Sequence, residues 1–187
     1  MDSTESVVLQ DIKLELQNVL IMRREQKKEI VSNMESKIRI SGIVEESIVD
    51  GPGIRYVVFT QGCPHDCKGC HNPQTHPFEG GKIVDIQEIF DAFCENPLLS
   101  GITFSGGEPF CQPKPLYELG KMIKQKGKTV MVYSGYTLEQ LEEMDDIWVK
   151  KLLSIADILV DGPYVEELRD LTLQFRGSSN QRVLYFS

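Results

Sequence analysis

The stretch Ile54-Arg55-Tyr56-Val57-Val58-Phe59-Thr60-Gln61-Gly62-Cys63-Pro64-His65-Asp66-Cys67-Lys68-Gly69-Cys70-His71-Asn72-Pro73 decides how this chain is read. Its first seven residues are rich in β-branched and aromatic side chains and read as a strand. A compact loop follows at once, with three cysteines separated by three residues and then by two. Gly62, Pro64, Gly69 and Pro73 suit a backbone that must wrap around an inorganic body. Three thiolates from one loop suit a cubane of four irons and four sulfides that leaves one iron free of protein ligands. The local alternative is a closed Cys3His zinc site. His76 is its better fourth ligand, because His71 adjoins Cys70.

Composition excludes several classes of function. A length of 187 residues suits one domain that buries a core without help from disulfides. Twenty Lys and Arg against 28 Asp and Glu give a formal net charge of −8, which disfavours a nucleic-acid binder. With 41% hydrophobic and 26% charged residues, wholesale disorder is excluded. No apolar run approaches the roughly 20 residues that span a bilayer. Residues 1–10 are polar and acidic, unlike a secretory leader, so the expected compartment is the cytoplasm. There, an odd count of five cysteines points to metal or redox chemistry. Residues 139–170 carry ten acids and three bases, and residues 114–128 five bases and one acid; both read as solvated helix faces.

Residues 1–36 form a separate extension. Leu9, Ile12, Leu16, Val19 and Leu20 follow helical spacing, which predicts an amphipathic helix. Either that helix packs on the domain or on a partner, or the segment precedes a true start at Met34. The catalytic domain is expected over residues 37–187.

Within it, strands are expected at residues 37–44, 54–60, 101–104, 129–133, 158–160 and 183–186. Helices alternate with them. Asp85 and Glu88 form a capping box for a helix through Ile86, Ile89, Phe90 and Phe93. Pro115 opens a second helix through Leu116, Leu119, Met122 and Ile123 that Gly127 stops. Thr137 with Gln140 caps a third, and residues 147–155 form a fourth. The alternation predicts an α/β fold: a partial, open β/α barrel of five or six βα units with mainly parallel strands, or a flat doubly wound sheet. Either form places the chemistry in loops beyond the C-terminal ends of the strands.

Further motifs occupy such loops. Ser105-Gly106-Gly107-Glu108-Pro109 follows a strand; its glycines let backbone approach a ligand, and Glu108 offers an acceptor for an ammonium group. Val49-Asp50-Gly51-Pro52-Gly53 precedes the cysteine strand, Asp161-Gly162-Pro163 follows another, and residues 175–182 form a polar loop. Cys94, Cys111 and Trp148 read as core residues, and His65 as a loop residue.

Together these segments resemble the radical S-adenosylmethionine superfamily, with its CxxxCxxC loop and its GGE motif. In order and spacing, residues 49–55, 62–73, 105–109, 133–137, 159–163 and 175–182 are similar to the family that activates anaerobic ribonucleoside-triphosphate reductases. The resemblance covers about residues 37–186. It implies that Cys63, Cys67 and Cys70 ligate a [4Fe-4S] cluster whose fourth iron chelates S-adenosylmethionine. Gly106, Gly107 and Glu108 would hold the methionine amino end, Gly69, Cys70 and His71 would lie against the adenosyl part, and Tyr133 and Ser134 would reach the cofactor. Many members carry an aromatic residue before the third cysteine; here that position is Gly69. Asp50 would lie where the substrate glycine enters. The implied reaction is reductive cleavage of S-adenosylmethionine to a 5′-deoxyadenosyl radical, which takes a hydrogen atom from a glycine of the reductase. Flavodoxin is the implied electron donor. A pyruvate formate-lyase type of glycyl-radical enzyme is the alternative substrate, and a Cys3His zinc-binding module the alternative without catalysis.

Overall fold

A computed structural model describes residues 36–186, so the expected N-terminal helix and the Met34 question lie outside the described residues. Seven strands form one sheet: β1 (Lys37–Ser47), β2 (Arg55–Thr60), β3 (Lys82–Asp85), β4 (Gly101–Gly106), β5 (Thr129–Tyr133), β6 (Ile158–Asp161) and β7 (Arg182–Tyr185). Their spatial order is β3-β1-β2-β4-β5-β6-β7. The four central strands are parallel in the order β2-β4-β5-β6. At the edges, β1 runs antiparallel to both β2 and β3, and β7 antiparallel to β6.

The open, mainly parallel α/β core is as expected, whereas the count of units is not. Only the three connections between the central strands are parallel crossovers. The connection from β1 to β2, residues 48–54, is too short for one and makes a hairpin instead.

Four α-helices fill the crossovers: α1 (Ile86–Glu95), α2 (Pro113–Gln125), α3 (Leu138–Glu143) and α4 (Ile147–Ile155). Asp85 caps α1 by accepting from the Gln87 amide at 2.9 Å, a single cap bond where a reciprocal box was expected. Helix α2 starts at Pro113, two residues before Pro115, and Gly127 follows its end with φ +71°. Thr137 and Gln140 form a complete capping box on α3. At Gly120 an added Cβ would stand 2.5 Å from the Ile155 side chain, so glycine lets α2 lie close to the end of α4.

The helices bury Ile86, Ile89, Phe93, Leu116, Leu119, Ile123, Val149 and Leu152 against one sheet face, formed by Tyr56, Val58, Ile102, Phe104, Val130, Val132 and Leu159. Each such side chain contributes roughly 1.5–3 kcal/mol of burial. The alternate residues Met131, Ile158 and Val160 face the other way and pack with Tyr133, Phe175 and Val183. Among the described residues helices cover one face alone, the half-barrel arrangement, since a doubly wound sheet carries helices on both. Its open inner face, with the loops at the C-terminal strand ends, is where a site forms.

Cys94 and Cys111 are exposed, contrary to the core expectation. Trp148 is half-buried on α4, with Lys151 Nζ at 4.1 Å and Lys114 Nζ at 4.7 Å from its ring centre. Lysine stems cover that ring where core packing was expected. No helix among the described residues is long and apolar enough to cross a membrane.

Candidate active site

Because β2, β4, β5 and β6 are parallel, the loops after them open on the same end of the sheet. Together with the β1–β2 hairpin they line a cavity of about 410 Å³, with Asp50 from the hairpin and Cys63, Cys67, Cys70, Gly106, Gly107, Tyr133 and Ser134 from the strand ends and the loops after them. That volume lies within the range of small-molecule sites, roughly 300–1,000 Å³.

The cysteine loop is closed at its neck. Gly62 donates to the Thr75 carbonyl at 2.8 Å and Cys63 to the His76 carbonyl at 3.0 Å. The buried Gln61 amide spans the same neck, reaching the carbonyls of Gln74 at 3.1 Å and Pro77 at 2.6 Å. Short helical residues Pro73–Thr75 complete the return. The Cys70 sulfur accepts from the Asn72 amide at 3.4 Å.

Burial pushes the Cys63 thiol up to about 11, opposed by the His65 amide and reinforced by Glu108 and the two other cysteines. Burial raises Cys67 too, against the Tyr164 amide. Metal binding therefore displaces protons here. Three half-buried thiols on one cavity, one of them with an amide on its sulfur, fit an iron-sulfur cluster, whose sulfurs accept such bonds. Among the described residues no three His, Cys, Asp or Glu groups are gathered closely enough to hold one ion. His76, the expected zinc partner, lines the cavity with its buried Nε2 unpaired, and its Nδ1 lies 3.4 Å from Asp66 Oδ1.

The two glycines after β4 serve close backbone approach. Gly107 donates to the Thr60 carbonyl and Glu108 to the Gly62 carbonyl, both at 2.8 Å. A Cβ at Gly107 would stand 2.4 Å from the Gly62 oxygen, and one at Gly106, whose φ is +96°, would stand 2.6 Å from the Thr60 nitrogen. The β4 loop is thereby held against the entry to the cysteine loop.

Two expected cofactor contacts are otherwise engaged. Glu108 is fully buried and turned onto its own chain, so its carboxylate does not face the cavity as expected. Ser134 lines the cavity, but its hydroxyl donates to Glu108 and accepts from the Tyr136 amide at 3.0 Å. Gly69 does not line the cavity. With φ +73° it lies against Glu166, whose carboxylate an added Cβ would meet at 2.0 Å. His71 does line it, and its ring centre lies 5.1 Å from that of Tyr164. Tyr164 is the aromatic wall that sequence reading missed; its only signal was a place just after Asp161-Gly162-Pro163.

Asp50 lines the cavity from the hairpin between β1 and β2. Ser47 Oγ donates to its carboxylate at 2.5 Å, and Thr103 Oγ1 to its carbonyl at 2.8 Å. Thr103 in turn accepts from the fully buried Arg55 at 3.0 Å. Burial pulls that guanidinium down to about 10. Burial first, and the Asp50 charge second, raise the Tyr133 phenol above its ordinary value.

Comparison with known proteins agrees with this geometry. Residues 49–184 match a family model described as "4Fe-4S single cluster domain". The anaerobic ribonucleoside-triphosphate reductase-activating protein of Escherichia coli (strain K12) is 34% identical over 145 residues, 73% of this chain and 91% of that relative. The pyruvate formate-lyase-activating enzyme of Clostridium pasteurianum is 38% identical over 130 residues, 66% of this chain and 55% of that protein. Among solved structures, the crystal structure of QueE from Escherichia coli matches with a TM-score of 0.44 at 14% identity over 54% of each chain. The three-cysteine cavity, the matched domain and the relatives agree: the chain belongs to the 4Fe-4S single cluster domain family and, within it, to the anaerobic ribonucleoside-triphosphate reductase-activating proteins, enzymes of radical S-adenosylmethionine type.

Proposed function

We propose that the chain activates an anaerobic ribonucleoside-triphosphate reductase by forming a glycyl radical on it, in the cytoplasm, with flavodoxin as the electron donor. The carrying observation is that three thiols and the Gly106-Gly107 backbone, from loops at the C-terminal ends of parallel strands, share one cavity that Asp50 also lines from the β1–β2 hairpin. When bound, a [4Fe-4S] cluster and S-adenosylmethionine supply one-electron cleavage of the sulfonium and, through it, hydrogen abstraction from glycine.

The chain's own residues hold, orient and shield. Cys63, Cys67 and Cys70 take three irons. Backbone of Gly106 and Gly107 receives the methionine end. His71 and Tyr164 flank the adenosyl group, Tyr164 supplying the aromatic surface that Gly69 lacks. Asp50, held by Ser47 and Thr103, positions the substrate glycine from the β1–β2 hairpin. Leu173 and Phe175 help to line the cavity and limit the water that reaches it.

The identity to a pyruvate formate-lyase-activating enzyme makes that class of glycyl-radical enzyme the second reading. The test is anaerobic reconstitution with iron and sulfide, reduction, and incubation with S-adenosylmethionine and each candidate partner in turn. The expected result is 5′-deoxyadenosine release with an organic radical signal on the reductase alone. A signal only on a pyruvate formate-lyase would select the second reading, and zinc in place of a cluster would exclude both.

A further inference from the structure

Glu108 carries four internal donors on its two oxygens. Oε1 accepts from the Phe110 amide at 3.0 Å; Oε2 accepts from the Gly135 amide and from His65 Nε2, both at 2.8 Å. The Ser134 hydroxyl lies 3.1 and 3.2 Å from the two oxygens. A carboxylate offers about four lone-pair positions, so none remains here for a ligand's ammonium group. These donors come from three loops: His65 from the cysteine loop after β2, Phe110 from the turn after β4, and Ser134 with Gly135 from the turn after β5.

His65 is the member carried by the cysteine loop itself. It lies between Cys63 and Cys67 in sequence, its ring meets the Tyr136 ring edge-on at 4.4 Å, and its side chain is 16% exposed. A carboxylate only accepts, so the contact places the hydrogen of this imidazole on Nε2. Gly135 clears the space for the ring, because a Cβ there would stand 2.4 Å from His65 Cδ2. His65 stands two residues after Cys63 and two before Cys67, so holding the ring holds the stretch of backbone that presents both thiols. The hydrogen bonds and solvent exposure of the sulfurs are among the determinants of a cluster's potential.

We infer that Glu108 and His65 form a joint that sets the cysteine loop against the β4 and β5 turns, and that Glu108 is a positioning residue rather than the acceptor of the cofactor's ammonium group. The inference rests on the proposed cluster site and assigns His65 a role within it.

The test uses the full chain, reconstituted anaerobically, as wild type, His65→Leu, His65→Gln and Glu108→Gln. Two quantities are read: the paramagnetic resonance spectrum and midpoint potential of the reduced cluster before S-adenosylmethionine is added, and the equilibrium affinity for S-adenosylmethionine. The joint predicts that His65→Leu and Glu108→Gln both alter the cofactor-free spectrum and lower the potential. His65→Gln, which keeps a donor, restores both. Cofactor affinity in Glu108→Gln stays within about threefold of wild type.

An unchanged cofactor-free spectrum and potential in His65→Leu would overturn the inference. So would a loss of affinity beyond about tenfold in Glu108→Gln with an unaltered spectrum, since that is the cost of a lost hydrogen bond to a charged group. Should Glu108→Gln not fold, the two His65 variants decide. Failure of the wild type itself to take up a cluster would count against the proposed function and not against the joint alone.

Discussion

Replacing Gly107 by alanine tests how closely the two central loops must approach. The added methyl would stand 2.4 Å from the Gly62 carbonyl oxygen, 2.9 Å from its carbon and 3.1 Å from its nitrogen, where ordinary contact begins at 3.4 Å. All three are backbone atoms, so no rotamer change relieves the clash. Gly62 must retreat by about 1 Å. That movement breaks the Glu108 to Gly62 hydrogen bond and strains the one from Gly107 to Thr60, both 2.8 Å long.

Two backbone bonds at roughly 1 kcal/mol each amount to a destabilisation of about 2 kcal/mol. For a chain of this size, roughly 2–4 °C per kcal/mol makes that a fall in Tm of about 4–8 °C. Cys63 directly follows Gly62, so iron and sulfide uptake on anaerobic reconstitution should fall with it. Gly127→Ala is the control: φ is +71° there and nothing lies within 4 Å of the added atom. It should cost about 1–2 kcal/mol of backbone strain and leave cluster uptake unchanged. Wild-type Tm and full cluster uptake in Gly107→Ala would refute the reasoning.

Cys67→Ala should abolish both the cluster's visible absorption and 5′-deoxyadenosine release; retention of either contradicts its assignment as a ligand. Tyr164→Leu should weaken S-adenosylmethionine binding by about fivefold or more, the scale of a lost base–aromatic stack, with Tyr164→Phe close to wild type in a titration. Arg182→Leu leaves the fully buried Asp161 without its guanidinium partner and should cost about 1–3 kcal/mol in denaturant unfolding. The same substitution tests a pH effect. Hydrogen bonds from Arg182 hold the Glu139 carboxyl down at about 2 from 4.5. A depressed folded-state value stabilises above the unfolded value and is lost as pH falls through the folded one. Wild-type stability should therefore fall more steeply than that of Arg182→Leu between about pH 4.5 and 2; parallel curves would contradict the pairing.

The central chemistry was legible because residues 54–73 put a β-branched strand directly before a glycine- and proline-rich loop with three cysteines. Local cap chemistry located α3, and α4 matched its expected bounds of residues 147–155. Strand β3 escaped notice because Lys82–Asp85 is short and pairs only at the sheet edge with β1, so no buried alternation marks it. The edge strands' directions depend on connection length, which alternation alone does not encode. Trp148 misled because an aromatic ring in a helix reads as core, while lysine stems from α2 and α4 cover it. Glu108 misled for a related reason. Sequence shows an acceptor beside two glycines, but only the packing of His65, Phe110, Ser134 and Gly135 shows that its lone pairs are already used.

The most direct measurement of the proposed activity follows one hydrogen atom. Reductase made with α-deuterated glycine would be incubated anaerobically with the reduced, reconstituted protein and S-adenosylmethionine, and the 5′-deoxyadenosine analysed by mass spectrometry. Hydrogen transfer from the reductase glycine predicts mono-deuterated 5′-deoxyadenosine in step with a radical signal on the reductase. Unlabelled 5′-deoxyadenosine without that signal would contradict it.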